Sequence, residues 1–226
     1  MKKILGIITA ATLFCFASVQ AESGFGITLS MLDIDSAVKD DIDSNGTTDT
    51  TKTFNDTLPA ASIFVEKTFD SGMMGMLLTL GVDVMPMTAD IDKRSITQSS
   101  QKAAADGAAT SGTNSAEGTI SEHVTVYVQP GFAISDNMTL YGIYGFISAD
   151  VEGKSNSISS TNITEGRDLD GTKVGIGLKY STGDMYYKLD YAESDYDSVS
   201  WTTSNNTKGT ADLDSSSLNL SIAKAF

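Results

Sequence analysis

The chain has 226 residues, with 15 Lys and Arg against 29 Asp and Glu, and its formal net charge is −14. A protein this acidic repels phosphates, which argues against a nucleic-acid partner. Beyond the N-terminal segment, no stretch approaches the ~18 consecutive apolar residues of a membrane-spanning helix, which excludes a helical membrane protein.

Residues 1–21 have the features of a secretory signal. Two N-terminal lysines precede an apolar run over 4–19, and a small residue, Ala21, stands at the expected cleavage point. The only cysteine, Cys15, lies inside this segment, so the exported part has no disulfide and no reactive thiol. Residues 22–226 are expected to form one domain, with 13 basic and 29 acidic side chains and a net charge of −16.

Eight segments read as strands, and three of them alternate apolar residues with polar or small ones at period two, over 124–128, 174–180 and 185–190. In a fourth segment two apolar sets compete, and its facing stays open. The eight segments are 24–35, 58–70, 74–88, 122–135, 138–152, 172–182, 184–200 and 215–226.

The connections between these segments alternate in length. Tight turns built from turn-forming residues fall at 70–73, 135–137 and 182–184. Long polar stretches, expected to be mobile, fall between them at 36–57, 95–121, 154–171 and 205–214. This asymmetry is typical of an outer-membrane barrel. The sequence therefore predicts an all-β, eight-stranded antiparallel up-and-down transmembrane β-barrel, with short periplasmic turns and long extracellular loops.

The three prolines constrain this arrangement. Pro59 and Pro86 are predicted at strand ends, where a missing N–H is tolerated. Pro130 falls inside a predicted strand and requires a bulge or a disturbed pairing there.

The C-terminal segment carries a lipid-facing pattern that ends on an aromatic residue. Leu218, Leu220 and Ile222 alternate with small and polar residues, and the chain ends at Phe226. Two further segments combine glycines with aromatic residues, Leu140-Tyr141-Gly142-x-Tyr144-Gly145-Phe146 and Gly175-x-Gly177-x-Lys179-Tyr180.

With the signal, these motifs make the chain resemble the small OmpA-type and OmpX-type eight-stranded outer-membrane barrels. The resemblance implies a place in the outer membrane of a Gram-negative bacterium, surrounded by lipid and lipopolysaccharide. It also implies that the barrel-assembly machinery recognises the C-terminal strand, with Leu218, Leu220, Ile222 and Phe226 as the assembly signal.

Alternation places several charged and polar side chains inside the predicted barrel. An eight-stranded barrel is just wide enough to be filled by side chains, so buried charges there must pair. We expect one lumen charge network, either a polar plug that stiffens the barrel or a gate that leaks ions. Its predicted members, with the amide of Gln129 beside them, are Glu66, Asp83, Lys179, Lys188 and Asp190.

The first long polar stretch contains a fragment of a calcium-binding pattern. Asp41, Asp43, Asn45 and Asp49 supply oxygen ligands at the spacing of the first half of such a loop. The twelfth position is Lys52, where the pattern needs a glutamate. The fragment therefore predicts either a Ca²⁺ site or a hydrophilic turn, and no other cofactor is expected.

The single histidine, His123, stands at the start of a strand next to Ser121 and Glu122. Ser121 and His123 can form a nucleophile–base pair only in a favourable strand register, so we expect a solvated or interfacial histidine and no catalytic residues. The aromatic residues expected to form the interface girdle are Tyr180, Tyr187, Tyr191, Tyr196 and Trp201.

These features together predict a non-catalytic outer-membrane barrel with a structural or surface role and at most a minor pore activity. The alternatives are a porin-like channel for small solutes or ions, a loop-mediated adhesin, and a lipid-modifying outer-membrane enzyme.

Overall fold

The computed structural model describes residues 21–41, 46–72, 75–102, 109–157, 160–202 and 208–226. Residues 1–20 of the predicted signal, together with Asp43 and Asn45, lie outside this part. Within it, no helix is long and apolar enough to cross a membrane. The described residues form nine β-strands: β1 (Ala21–Asp41), β2 (Thr50–Asp70), β3 (Met76–Met85), β4 (Ala89–Lys102), β5 (Ala109–Ser135), β6 (Met138–Ser157), β7 (Ser160–Thr182), β8 (Met185–Thr202) and β9 (Lys208–Ala225).

The strands form one closed antiparallel ring. Apart from β3 and β4, strands that are neighbours in the chain pair with each other, and β1 pairs with β9 to close the sheet. β3 and β4 occupy one strand position in the barrel, one after the other, because β3 pairs with one half of β5 and β4 pairs with the other half. The ring therefore has eight strand positions, and the predicted eight-stranded up-and-down barrel is confirmed.

The predicted long loops are wrong for most of their length, because the strands continue through them. The pairing of β1 with β2, for example, runs to Asp40 and Thr50. The other three polar stretches are likewise largely within β4, β5, β6, β7 and β9. A strand of 21 residues spans roughly 70 Å at about 3.3 Å per residue, far more than a membrane crossing requires. Polar composition did not distinguish a solvated hairpin from a loop.

The prolines mark irregularities in the wall. Pro59 lies inside β2 opposite Met31, so its prediction as a strand end is wrong. Pro86 follows β3 directly, at the break before β4. Around Pro130 the pairing of β5 with β6 passes from Val128–Tyr144 to Gly131–Tyr141 with no pair between, as expected where an N–H is missing.

We call the end of the barrel with the short turns its lower half and the opposite end its upper half. In the upper half, beyond the break between β3 and β4, the wall has a seam. β2 pairs with β3 only from Ile63 onward, while β4 pairs with β5 alone among the described residues. The stretch of β2 from Thr50 to Ser62 therefore faces β4 without a hydrogen-bonded ladder. The barrel is continuous around its lower half and is split on one side in its upper half.

The two faces of the wall exchange polarity partway along the strands. In β1, Phe25, Ile27, Leu29 and Met31 point outward and are about half exposed, whereas Asp33 occupies the next outward position. Lipid requires an apolar outer face and water does not, so the change marks where the barrel leaves the membrane. The outward acidic residues above the change are Asp33, Asp35, Asp150, Glu152, Asp168, Asp170, Glu193, Asp195, Asp212 and Asp214.

The inner face changes in the opposite direction. In the lower half the lumen holds polar and charged side chains, whereas the upper half holds a buried apolar cluster around Ile120, Ala149 and Leu169. The open facing of 138–152 is settled by the same pattern. Its inward set is Tyr141, Ile143 and Ile147, and its outward set is Leu140, Tyr144 and Phe146.

The C-terminus completes the ring through backbone contacts. Phe226 accepts a hydrogen bond from the Ser23 amide at 3.3 Å and donates one to the Ser23 carbonyl at 2.9 Å. Its ring is 77% exposed on the outside. Leu218, Leu220 and Ile222 precede it on the outward face of β9.

Deleting Phe226 should weaken closure of the barrel. The deletion removes two backbone hydrogen bonds, each worth about 0.5–1.5 kcal/mol, so we expect a loss of about 1–3 kcal/mol. The measurement is unfolding in detergent by urea, beside the yield of heat-modifiable barrel in cells. Phe226→Leu, which keeps the backbone bonds, is the matched control. A deletion variant as stable as the control would show that these bonds do not close the sheet.

Candidate functional site in the barrel lumen

A buried ion pair crosses the lower lumen. The Lys188 ammonium lies 2.8 Å from a Glu66 carboxylate oxygen and donates to the Gln129 side-chain oxygen at 3.0 Å. The Tyr127 hydroxyl donates to the same Glu66 oxygen at 2.7 Å. The side chains of Lys188 and Glu66 are at most 4% exposed. We call these four residues the lumen floor.

Two further predicted carboxylates lie beside the floor. Asp190 accepts hydrogen bonds from the Tyr141 hydroxyl at 3.0 Å and from the Asn219 amide at 2.7 Å. Asp83 accepts one from the Ser62 hydroxyl at 2.7 Å. Each of these carboxylates is thus held by neutral donors rather than by a lysine.

Lys179 does not join this group, so the prediction of one network including Lys179 is wrong. Its ammonium lies 3.5 Å from Glu22 and 4.0 Å above the Tyr186 ring. The reason is the strand register, since Lys179 and Lys188 are directly opposite each other on β7 and β8. Like charges in that position repel, and the two lysines reach in opposite directions.

Tyrosines contribute a part of the site that the sequence reasoning missed. The inward rings of Tyr127 and Tyr141 face glycines in the register, Gly81 and Gly177, where an added Cβ would collide with each ring. The Lys188 ammonium lies 5.4 Å from the Tyr127 ring centre and 5.3 Å from that of Tyr141. An inward tyrosine opposite an inward glycine was the available signal. The aromatic faces add to the stabilisation of the buried ammonium.

A cavity of about 90 Å³ lies above the floor. Serine and threonine hydroxyls line its middle, including Thr28, Ser217 and Ser221. The apolar cluster around Ile120 and Leu169, against which Tyr196, Val199 and Leu213 pack, lies at its upper end. We call this cluster the lumen roof.

The histidine faces this cavity, so the expectation of a solvated or interfacial histidine is wrong. The Nε2 atom of His123 lies 3.3 Å from the Tyr196 hydroxyl, and the two rings meet edge to face. Its Nδ1 atom is buried without a hydrogen-bond partner. Glu122 has a φ of 50° next to a register shift in β5. Because of this irregularity, the side chains of His123 and Ser121 point to opposite faces of the wall.

The remaining predicted residues lie away from the lumen floor. Asp41 accepts a hydrogen bond from the Gly46 amide at 2.8 Å, and Asp49 directly precedes β2. The described part of the chain contains no group of three or more His, Cys, Asp or Glu side chains placed to hold a metal ion. The calcium site stays a prediction.

The predicted aromatic girdle holds in part. Tyr180, Tyr187 and Tyr191 point outward and are 41–47% exposed. Tyr196 points inward and packs in the roof, so its assignment to the girdle is wrong. The Trp201 side chain lies outside the described part. Tyr196 stands above the membrane belt, where the polarity of the two faces has already exchanged.

Carboxylates form a row on the outer face above the membrane. Asp195, Asp214 and Asp35 are directly opposite one another on β8, β9 and β1. At the end of the row, the Asn55 amide donates a hydrogen bond to Asp35. Like charges in facing positions destabilise a sheet, so this row costs stability when it is ionised.

Two neighbouring carboxyls respond to this row in opposite ways. The pKa of Asp214 is raised. The largest cause is the partial loss of solvent around its carboxyl, and the negative charges of Asp195 and Asp212 add to it. Asp212 instead accepts a 2.7 Å hydrogen bond from Lys39, and this bond lowers the pKa of Asp212.

Comparisons with known proteins support the fold. No protein-family model and no curated protein matches the chain. The outer-membrane protease OmpT from Escherichia coli is similar in structure, with a TM-score of 0.50 and 10% identity over 91% of this chain and 97% of that one. The chain has the outer-membrane β-barrel fold. Identity this low shows the fold alone.

Two further solved structures align over similar lengths. Ail, the attachment invasion locus protein of Yersinia pestis, aligns with a TM-score of 0.38 and 14% identity over 89% of this chain and 99% of that one. Neisserial surface protein A aligns with a TM-score of 0.39 and 8% identity over 88% and 97%.

Replacing Lys188 by Met should destabilise the barrel strongly. The change leaves Glu66 buried without its cation, which typically costs about 3–5 kcal/mol. Unfolding in detergent measures the effect, and Lys179→Met is the matched control because its partner Glu22 is partly exposed. Equal, small losses in the two variants would mean that the floor is wet.

Replacing Asp214 by Asn should stabilise the barrel at neutral pH by a few tenths of a kcal/mol, up to about 1, because the row is exposed and screened. Since its folded pKa is raised, ionised Asp214 destabilises the wild type as the pH rises through that pKa, and the gain should disappear in acid.

Asp212→Asn is the paired control for this experiment. The folded pKa of Asp212 is lowered, so its stabilisation is present at neutral pH and is lost as the pH falls through that pKa. We therefore expect a small loss at neutral pH, measured by unfolding at several pH values. Shifts of the same sign in both variants would contradict the assigned charge environments.

Proposed function

We propose that this protein is a non-catalytic outer-membrane barrel that stiffens the envelope and presents a rigid acidic surface, with no continuous path for solutes. The observation that carries the proposal is the charged floor, whose buried ion pair joins β8 to β2 across the lumen. We expect the apolar roof to obstruct the lumen a second time. The location follows from the outward apolar belt, and removal of residues 1–21 on export is part of the same proposal.

The floor obstructs the lumen because opening it breaks bonds that nothing else replaces. Glu66 and Lys188 bond to each other at 2.8 Å while both are buried. Separating them in a narrow lumen leaves two charges unpaired, unless water enters with them. The rings of Tyr127, Tyr141 and Phe64 surround the ammonium and limit that space.

We expect the roof to obstruct the lumen by a different mechanism. Ile120, Ala149 and Leu169 are buried against one another, with Leu213 and Val151 packed on them. An apolar constriction of this kind excludes water, and ions do not pass without water. A minor leak therefore requires the floor to open together with the roof or the seam.

The upper barrel supports a surface role. The strands continue well past the apolar belt, with paired backbone and acidic outward side chains. We propose that lipid and lipopolysaccharide surround the belt, that the upper barrel projects from the cell, and that the assembly machinery recognises β9. His123 bonds to Tyr196 rather than to a nucleophile, which favours a non-catalytic role over an enzyme.

Planar-bilayer recording tests the closed lumen. Refolded wild type should give no channel events, and Glu66→Ala with Lys188→Ala alone should still be limited by the roof. Adding Ile120→Ala and Leu169→Ala should produce a leak, because both barriers are then removed. Well-defined channels from the wild type would overturn the proposal in favour of a porin.

Labelling of single cysteines tests the orientation, since the exported part has no cysteine of its own. A membrane-impermeant maleimide added to intact cells should react with Asp214→Cys and should spare Asp136→Cys, which lies in a short turn. The turn variant should react only after the outer membrane is permeabilised. The reverse pattern would invert the orientation.

A further inference from the structure

The cavity above the floor contains charges of both signs that are not paired. Lys173, Asp83 and Asp190 all line it, and none of the three makes an ion pair with a described residue. The buried Nδ1 atom of His123, also in the lining, has no hydrogen-bond partner. Asp83 and Asp190 accept hydrogen bonds from neutral groups only, and Lys173 is half-buried. Buried carboxylates are normally paired with a cation and buried polar atoms with a hydrogen-bond partner, so the lining indicates a bound molecule that supplies the opposite charges and a bond to His123.

The molecule that fills the cavity must carry both a positive and a negative group. A simple cation would satisfy the two carboxylates but would leave Lys173 and His123 unsatisfied. A simple anion would satisfy Lys173 and His123 but would add negative charge beside Asp83 and Asp190. A molecule that carries an ammonium and a carboxylate together complements both sides of the lining.

The size and the walls of the cavity restrict the molecule further. A volume of about 90 Å³ holds roughly half a dozen water-sized groups, which suits glycine or alanine. Hydroxyls such as Ser30, Ser194 and Ser215 line the middle, and they both donate and accept hydrogen bonds. The apolar side chains of Ile34 and Leu213 leave room for a methyl group but offer no further charge.

The seam in the wall borders this cavity. Ser62 and Met85 are the first residues of β2 and β3 beyond the last paired positions, Ile63 and Val84 on those strands. Both Ser62 and Met85 line the cavity. Opening of the seam would therefore admit a small solute to the cavity from the side of the upper barrel, above the floor.

From these observations, we propose that the lumen cavity is a dead-end binding site for a small zwitterion of the α-amino acid class. Asp83 and Asp190 hold its ammonium, and Lys173 and His123 hold its carboxylate. The floor beneath the site keeps the molecule from passing to the periplasm. This inference goes beyond the structural role, because the barrel would also bind a solute from outside.

Binding of three probes to refolded wild-type barrel tests the proposal. The probes are glycine, methylammonium and acetate, measured by equilibrium dialysis of labelled probe and by the shift in unfolding temperature. Glycine should bind at least about tenfold more tightly than either of the others, because each of them leaves one side of the lining unpaired. Equal or tighter binding of methylammonium or acetate, or no binding of glycine, would overturn the proposal.

Variants locate the site. Asp83→Asn and Lys173→Met should each weaken glycine binding about tenfold or more, whereas Lys179→Met, also in the lumen but outside the cavity, should bind like the wild type. Unchanged glycine binding in both cavity variants would overturn the assignment. If a cavity variant fails to fold, the ranking of the three probes on the wild type still decides.

Discussion

Closure of the sheet is the constraint on which the rest of this structure depends. A strand that crosses a membrane must bond all of its backbone groups within the protein, and a ring does this by removing its edges. With eight strand positions the ring is narrow. Its inner charges therefore have no bulk water to solvate them, which is why Glu66, Lys188, Gln129 and Tyr127 share one set of bonds.

The exchange of polarity between the two faces follows from the same geometry. Successive residues of a strand point to opposite faces, so the wall can suit lipid outside only by placing polar residues inside. Above the membrane the outer solvent is water, and the wall can reverse. Asp33 and Ile34 show the reversal in β1, just after Met31 and Leu32. The charged floor and the apolar roof are the inner counterparts of the lipid belt and the acidic surface.

The fold and the facing of most lumen residues could be predicted from the sequence. The alternation in β5, β7 and β8, with the alternating lengths of the connections, predicted the ring and the facing of Lys188 and Asp190. The alternation in β9 predicted its own lipid-facing side. Strand length was not readable, because polar hairpin arms and loops have the same composition. The position of Lys179 was missed because its repulsion from Lys188 depends on the register between two strands. The inward facing of His123 depends on an irregularity at Glu122, which alternation alone does not reveal.

The central claim is that the membrane surface lies where the polarity of the outer wall changes, just above Met31. The most direct measurement is the accessibility of spin labels at outward positions of β1, with Leu29, Met31, Asp33 and Asp35 replaced one at a time by Cys in a barrel reconstituted in lipid. Oxygen, which concentrates in lipid, should relax labels at the first two positions, and a water-soluble nickel complex should relax labels at the last two. Oxygen-dominated relaxation that continued through Asp35, or nickel-dominated relaxation already at Leu29, would contradict the account.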